Sequence, residues 1–261
     1  VTLRTNTLKT TREKLLAALG SSASPTALSP CGIRLSGSFP VEELFGFSDG
    51  LFFVQDEASQ LAAGLLKKED VPAGGIVVDV CACPGGKSFS AAISLEDKAV
   101  FYDFDLHENK LSLIRSGAER LGITSITTAA RDGRDPDPAL FEKASAVICD
   151  VPCSGLGIIR KKPEIRFKNP DEIQTLPEIQ AKILANCAQY VKKGGTLVYS
   201  TCTILQRENE DVVRAFLTEN PAFEAVSWTH PVCGERADGM VTLLPPVHNT
   251  DGFFIAKMHR K

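Results

Sequence analysis

A chain of 261 residues that is 43% hydrophobic and 23% charged has the composition of an ordinary soluble globular protein with one large domain or two smaller ones. Its net charge of −3 argues against a protein whose whole surface binds nucleic acid, although a local basic surface is compatible with it. The apolar runs are too short to span a bilayer, nothing like a secretory signal opens the chain, and eight cysteines are too few for a disulfide framework. We therefore expect a cytoplasmic protein with reduced cysteines.

The first 50 residues predict a small α+β subdomain. Thr10 and Glu13 have the spacing of a capping box, and Gly20 would end the helix that follows them. Short strands are predicted at 33–35 and 51–54.

From residue 55 onwards, strands alternate with helices. Strands are predicted at 76–80, 99–103, 126–129, 146–150, 196–200, 223–226 and 253–257. This alternation predicts an α/β fold with a doubly wound, mostly parallel sheet. Such sheets bind ligands outside the carboxyl ends of their strands, so the residues at those ends are the candidates for function.

The first strand of this sheet ends in a glycine-rich turn. The turn consists of Asp79, Val80, Cys81, Ala82, Cys83, Pro84, Gly85, Gly86 and Lys87. Glycines let the backbone approach a ligand closely, and the N–H groups at a helix start can bind a polar group. The turn lacks the spacing of phosphate-binding loops, and its glycines fit a plain strand-to-helix turn equally well.

Acidic residues follow the next two strands. Asp105 is placed either to accept hydrogen bonds from a ribose diol or to cap the segment after it. Asp132 could accept from an adenine amino group, but a lone aspartate before a glycine is more often a turn residue.

Two cysteines follow the fourth and fifth strands. Cys153 lies three residues after Asp150 across a rigid proline, and Cys202 lies in a Ser-Thr-Cys-Thr turn. Neighbouring strands are about 4.8 Å apart, so both thiols could face one pocket. Cysteine is often only a small buried hydrophobe, which is how we interpret the other cysteines outside the glycine-rich turn, at 31, 149, 187 and 233.

Taken in order, DVCACPGGK, DVPCSG and STCT resemble motifs I, IV and VI of the RNA 5-methylcytosine methyltransferases of the RsmB/Nop/Sun family. FVQDEAS at 53–59 and DGFFIAK at 251–257 are similar to that family as well, so the resemblance covers nearly the whole chain. The family usually has CAAPGGKT where this chain has Cys83 and Ser88. Its bacterial branch carries an additional N-terminal helical RNA-binding domain, similar to NusB, which we expect to precede Val1.

The resemblance implies a Rossmann-like, seven-stranded methyltransferase sheet and S-adenosylmethionine as cofactor. Residues 81–87 would hold its methionine part, Asp105 its ribose and Asp132 its adenine edge. The implied cofactor-binding residues are Cys81, Ala82, Cys83, Pro84, Gly85, Gly86, Lys87, Asp105, Asp132 and Asp150.

The implied reaction begins with the thiolate of Cys202, which adds to carbon 6 of cytosine so that carbon 5 can attack a methyl sulfonium. Asp150 would bind the ring at nitrogen 3, Cys153 would assist breakdown of the adduct, and Lys87 would orient the Asp150 region. No metal is needed.

The implied partner is RNA, most simply small-subunit ribosomal RNA, with the target cytosine single-stranded or flipped out. Segment 160–168 holds five basic residues and one acid directly after motif IV. Alone it would indicate a solvated surface, but beside the pocket it predicts RNA contact. We expect residues 1–50 to be an RNA-binding subdomain and residues 51–261 to be the catalytic domain. We also expect a monomer that binds neither a membrane nor a metal ion.

Other readings remain open at this point. A family member could act on tRNA or another RNA, and a non-catalytic ribosome assembly factor could retain the cofactor fold. In a DNA cytosine methyltransferase the Pro-Cys dipeptide would carry the nucleophile, which would then be Cys153. A small-molecule methyltransferase would need neither cysteine nor the basic segment.

Overall fold

The computed structural model describes residues 1–37 and 40–261. Its N-terminal part is a four-stranded antiparallel sheet in the order β2-β3-β1-β4. The strands are β1 (Thr2–Thr5), β2 (Ala23–Pro25), β3 (Gly32–Leu35) and β4 (Phe52–Val54), and helix α1 spans Arg12–Leu19. Leu3, Leu15, Ile33, Leu35 and Phe52 form a small core between sheet and helix.

Two details differ from the sequence-based expectation in this region. The N-cap of α1 is Thr11, whose hydroxyl accepts from the backbone N–H of Lys14 at 3.3 Å, so the cap predicted at Thr10 was wrong by one residue. Strand β4 pairs with β1, so the N-terminal sheet extends past residue 50. A domain boundary at residue 50 stays a prediction.

The larger sheet confirms the α/β class and the mostly parallel order. Its strands are β5 (Ile76–Asp79), β6 (Val100–Asp105), β7 (Ile126–Ala130), β8 (Ala144–Asp150), β9 (Val191–Thr201), β10 (Phe223–Ala225), β13 (Met240–Leu243) and β14 (Phe253–Arg260). The order is β10-β14-β9-β8-β5-β6-β7, with β5 to β9 parallel and β14 antiparallel to β9. Strands β10 and β13 pair with opposite ends of β14, so two short strands share the seventh position. A separate hairpin contains β11 (Trp228–His230) and β12 (Gly234–Arg236).

Helices cover both faces of this sheet. They are α2 (Glu57–Gly64), α3 (Gly86–Ser94), α4 (Leu111–Leu121), α5 (Pro170–Tyr190), α6 (Glu210–Glu219) and the short α7 (Pro245–His248). Val77 and Val78 are successive residues of β5 and belong to opposite cores, the first with α2, α3 and α4 and the second with α5 and α6. Burial on both faces explains the nearly continuous apolar run of β5.

The strand register brings the candidate residues to one edge. Asp79 at the end of β5 pairs with Asp103 on β6, and Asp150 at the end of β8 pairs with Ser200 on β9. Cys202 follows β9 directly. In the part of the chain that the structure describes, no helix is long and apolar enough to cross a membrane.

Candidate active site

A cavity of about 720 Å³ opens at the carboxyl edge of the sheet. The predicted site residues on its walls are Cys81, Cys83, Asp105, Asp132, Asp150, Cys153 and Cys202. Within residues 1–37 and 40–261, Ala82, Pro84, Gly85 and Gly86 share the loop of Cys81 but do not line this cavity, and Lys87 reaches the site by binding Asp150. The strand-end residues chosen from the sequence therefore lie around one cavity.

The two cysteine thiols of the cavity are in contact, with 3.2 Å between Cys153 Sγ and Cys202 Sγ. The hydrogen bond from Cys153, aided by the charge of Lys87, holds the pKa of the Cys202 thiol below its usual value despite burial. The same hydrogen bond, together with burial, raises the pKa of Cys153. Either sulfur could be the donor in this contact, and the opposite pKa directions favour ionisation of Cys202 over that of Cys153.

Asp150 has a partner on each carboxylate oxygen. Lys87 Nζ donates to Oδ2 at 2.5 Å, and Ser200 Oγ donates to Oδ1 at 2.6 Å. Burial alone would lower the pKa of Lys87, but the charge and hydrogen bond of Asp150 outweigh it, and the pKa is raised. The Lys87 ammonium also lies 5.2 Å from the ring centroid of Phe253, in the DGFFIAK motif. A permanent positive charge therefore sits beside Asp150.

The glycine-rich turn has a specific backbone requirement. Gly85 is the N-cap of α3 at φ +103°, and a Cβ there would lie 2.3 Å from the ring of Phe89. Gln55, in the FVQDEAS motif, donates from Nε2 to the carbonyl of Gly86 at 2.8 Å and accepts from Ser90 Oγ at 2.6 Å. Gln55 thus supports the turn, a role that sequence reasoning did not assign.

Buried acids lie behind the turn. Ser88 Oγ donates to Asp79 Oδ2 at 2.9 Å, and burial, reinforced by the charge of Asp150, raises the pKa of Asp79 to about 7. Burial also raises the pKa of Asp103 well above its usual value, and neither of its carboxylate oxygens has a hydrogen-bond partner among the described residues. Sequence reasoning missed Asp103 because an acid inside a strand usually indicates an exposed face.

The two acids expected at the cofactor both have protein partners. Asp105 accepts from the backbone N–H of His107 at 3.0 Å and of Cys83 at 3.3 Å, so it also has the capping role considered as its alternative. The carboxylate of Asp132 is bound by the Arg134 guanidinium, whose hydrogen bonds lower the pKa of that carboxyl. Both still line the cavity, opposite apolar side chains of α5 such as Ile179.

The basic segment 160–168 is partly neutralised within the chain. Lys161 Nζ binds Asp251 Oδ2 at 2.6 Å and Asp56 Oδ2 at 2.8 Å, and Arg160 pairs with Asp251 at 3.4 Å. Lys168 Nζ donates to the carbonyl of Ser154 at 2.8 Å. These contacts join the segment to the FVQDEAS and DGFFIAK motifs.

The other two cations of the segment are available to a ligand. Among the described residues, Lys162 and Arg166 form no ion pair, and Lys162 lines the cavity. The ring of Phe167, beside them, is 82% exposed. Arg166 Nε donates to the carbonyl of Pro163 at 3.1 Å, and its guanidinium lies 5.6 Å from the ring centroid of Phe167. The segment therefore presents two cations without an acidic partner among the described residues, together with an exposed aromatic ring.

Fold and cavity together define a class: a doubly wound, Rossmann-like methyltransferase sheet with a cavity at its carboxyl edge. Residues 65–259 match the family described as 16S rRNA methyltransferase RsmB/F, and the chain belongs to that family. The resemblance drawn from the motifs is thereby confirmed.

Known proteins similar to this chain extend beyond it. The probable ribosomal RNA small subunit methyltransferase B of Bacillus subtilis is 39% identical, across 100% of this chain and 60% of its own length. The crystal structure of PH0851 has a TM-score of 0.92 and 31% identity, covering 100% of this chain and 59% of that one. A methyltransferase homolog protein from Pyrococcus horikoshii has a TM-score of 0.85 and 28% identity, covering 100% and 86%. The chain spans about 60% of the length of the curated relatives it matches.

Proposed function

We propose that this chain transfers a methyl group from S-adenosylmethionine to carbon 5 of a cytosine in RNA, with small-subunit ribosomal RNA as the substrate. One observation carries the proposal: two thiols 3.2 Å apart share a cavity with an aspartate that is bound to a partly buried lysine. The family membership and the names of the relatives agree with an RNA substrate.

The cavity fits the cofactor in size and chemistry. About 720 Å³ is within the usual range for a cofactor site. Carboxylates suit the hydroxyls of a ribose and the amino group of adenine, which are the parts we assign to Asp105 and Asp132, and the apolar wall from α5 suits the adenine ring. When bound, the cofactor would supply the methyl group.

In this proposal Cys202 is the nucleophile. Its thiolate bonds to carbon 6 of the cytosine, and the electron pair of the 5,6 double bond becomes available at carbon 5 for methyl transfer. The lowered pKa of Cys202 and the nearby charge of Lys87 support this assignment over one in which Cys153 attacks.

Asp150 is assigned to the pyrimidine ring. With a proton on its carboxyl, Asp150 would donate that proton to nitrogen 3 as the thiolate adds to carbon 6, so that the ring does not keep the negative charge. Because Lys87 and Ser200 each hold one oxygen of Asp150, the carboxyl is fixed in orientation before the substrate arrives.

Cys153 is assigned to product release. After methyl transfer, a base takes the proton from carbon 5, the bond between Cys202 Sγ and carbon 6 breaks, and the sulfur leaves as a thiolate. A thiol with a raised pKa, 3.2 Å from that sulfur, can donate a hydrogen bond to it and stabilise its departure.

RNA is proposed to approach over the basic segment. Lys162 and Arg166 would contact phosphates, and Phe167 would stack on a base beside the flipped cytosine. We also propose that residues 1–50 contribute to RNA binding.

The direct test is a methylation assay with small-subunit ribosomal RNA from cells that lack the enzyme. The chain and labelled S-adenosylmethionine should yield 5-methylcytidine at one position, read by bisulfite sequencing, and Cys202→Ser should yield none. Methylation of tRNA alone would mean that tRNA, and not ribosomal RNA, is the substrate. Methylation at an atom other than carbon 5, or full activity in Cys202→Ser, would contradict the chemistry.

A further inference from the structure

We infer that Glu208 is a positioning residue that, with Gln180, holds the loop of Cys153 against the turn of Cys202. Glu208 lies in a short turn (Gln206–Glu208) after Cys202, and its side chain is completely buried. We call the side chains of Glu208 and Gln180 the clamp. Its catalytic consequence rests on the proposed function, but its geometry does not.

The clamp grips the backbone on both sides of Cys153. The backbone N–H of Ser154 donates to Glu208 Oε2 at 2.8 Å. Gln180 Nε2 donates to the carbonyl of Pro152 at 3.0 Å and to the same Glu208 oxygen at 2.9 Å. The peptide groups before and after Cys153 are therefore both fixed by this one pair of side chains.

The same residues are tied to the turn of Cys202. Ser154 Oγ and Thr203 Oγ1 are 2.7 Å apart, and both side chains are buried. Tyr199, on the strand that leads to Cys202, donates from its hydroxyl to the carbonyl of Glu208 at 2.6 Å. Because the clamp spans both loops, it sets the separation of the Cys153 and Cys202 sulfurs.

The burial of the Glu208 carboxyl group is costly in this position. Burying a carboxylate is unfavourable unless its oxygens are bonded, and Glu208 Oε1 has no hydrogen-bond partner among the described residues. What the carboxyl group provides is one oxygen that accepts hydrogen bonds from both the Ser154 N–H and Gln180. Because the burial of Glu208 is unfavourable, its position beside Cys153 supports a role in fixing that cysteine.

The geometry is tested without RNA. Diamide oxidises two neighbouring thiols to a disulfide and is itself reduced to the hydrazine, so the rate of Cys153–Cys202 bond formation reports their separation. We expect Glu208→Ala to form this disulfide at least about tenfold more slowly than the wild type, by peptide mass mapping, since it loses charge-assisted hydrogen bonds. Glu208→Gln should recover most of the rate, and the exposed Glu219→Ala should match the wild type.

The catalytic consequence is tested with RNA. Glu208→Ala should behave like Cys153→Ala: it should attack and methylate once, then accumulate a covalent protein–RNA complex with turnover at least about tenfold lower. Loss of fold would abolish attack and release together, whereas the clamp predicts that attack persists at a reduced rate, because the hydrogen bond to Cys202 is weakened, while release fails.

Several outcomes distinguish a failure of the clamp from a failure of the proposed function. Wild-type disulfide rate and turnover in Glu208→Ala would overturn the clamp. If the wild type forms no adduct and no 5-methylcytidine, the proposed function fails, while the diamide test still decides the clamp. If Glu208→Ala does not fold, Gln180→Ala must show the slowed disulfide and the trapped complex, and wild-type behaviour there would overturn the inference.

Discussion

The two cavity cysteines share a residue type but differ in the groups around them. Lys87 contributes to the lowered pKa of Cys202, whereas the hydrogen bond to Cys202 and burial raise that of Cys153. The sequence predicted both positions from their place after neighbouring strands. It could not rank them without the family resemblance, because the ranking depends first on the hydrogen bond between the two thiols and then on the charge of Lys87, and both exist only in the folded chain.

Removing the Lys87 charge should make Cys202 less acidic. Without a nearby cation the thiolate is disfavoured, so Lys87→Met should move the pH midpoint for alkylation of Cys202 upwards. Iodoacetamide labelling followed by peptide mass mapping measures this, with exposed Lys182→Met as the control. An unchanged or lower midpoint would mean that Lys87 does not activate Cys202.

Asp105 should matter to cofactor affinity. Replacing it with alanine removes charge-assisted hydrogen bonds to the ribose, worth roughly 1.5–3 kcal/mol, so S-adenosylmethionine should bind at least about tenfold more weakly. Calorimetric titration of Asp105→Ala against the exposed control Asp49→Ala is the measurement. Equal affinities would remove Asp105 from the site.

At the level of elements, segment 160–168 combines two functions that its sequence does not separate. Lys161 is bound by Asp56 and Asp251, while Lys162 and Arg166 have no ion pair in the described chain. A run of basic residues predicts a charged surface, but it does not reveal which charges meet acids about ninety residues or more away. The pairing of β4 with β1 has the same origin, since these strands are about fifty residues apart along the chain.

Neutralising the free cations should change the salt dependence of RNA binding. Each lost phosphate contact lowers the slope of log affinity against log salt by about 1, so Lys162→Ala with Arg166→Ala should lower it by about 2. Filter binding at several salt concentrations measures the slope. An unaltered slope would mean that these two side chains do not contact phosphates and that the segment is an ordinary solvated surface.

Lys161→Ala should act on stability instead. It leaves the buried carboxylate of Asp251 without its shortest partner, which should cost roughly 1–3 kcal/mol in the free energy of unfolding. Urea denaturation, with Lys162→Ala as the matched control, tests this. Equal effects of the two substitutions on stability would contradict the separation of roles.

For the whole molecule, the sheet was predictable because predicted strands alternate with predicted helices along the chain. The buried acids at its centre were not, since their environment exists only once β5 and β6 have paired. Asp79 has a pKa near 7 in the folded chain and near 4 when unfolded, so the folded state binds more protons between those pH values. Its ionisation therefore lowers stability as the pH rises from about 4 to about 7.

Asp79→Asn should remove this pH dependence. The variant's free energy of unfolding, relative to the wild type, should rise between pH 4 and 7 and stay level above pH 7. At about 1.4 kcal/mol per pKa unit, the rise should be up to about 4 kcal/mol. Urea denaturation across this pH range measures the difference, with exposed Asp49→Asn as the control. A difference that does not vary with pH would mean that Asp79 ionises normally.

The most direct test of the central claim compares the two cysteines with labelled RNA on denaturing gels. Cys153→Ala should still attack and methylate once, then accumulate as a protein–RNA conjugate, while Cys202→Ala should give neither conjugate nor methylation. Calorimetric titration of S-adenosylmethionine into each variant checks that the cofactor site is intact. A conjugate trapped by Cys202→Ala and absent in Cys153→Ala would reverse the assignment and contradict the account.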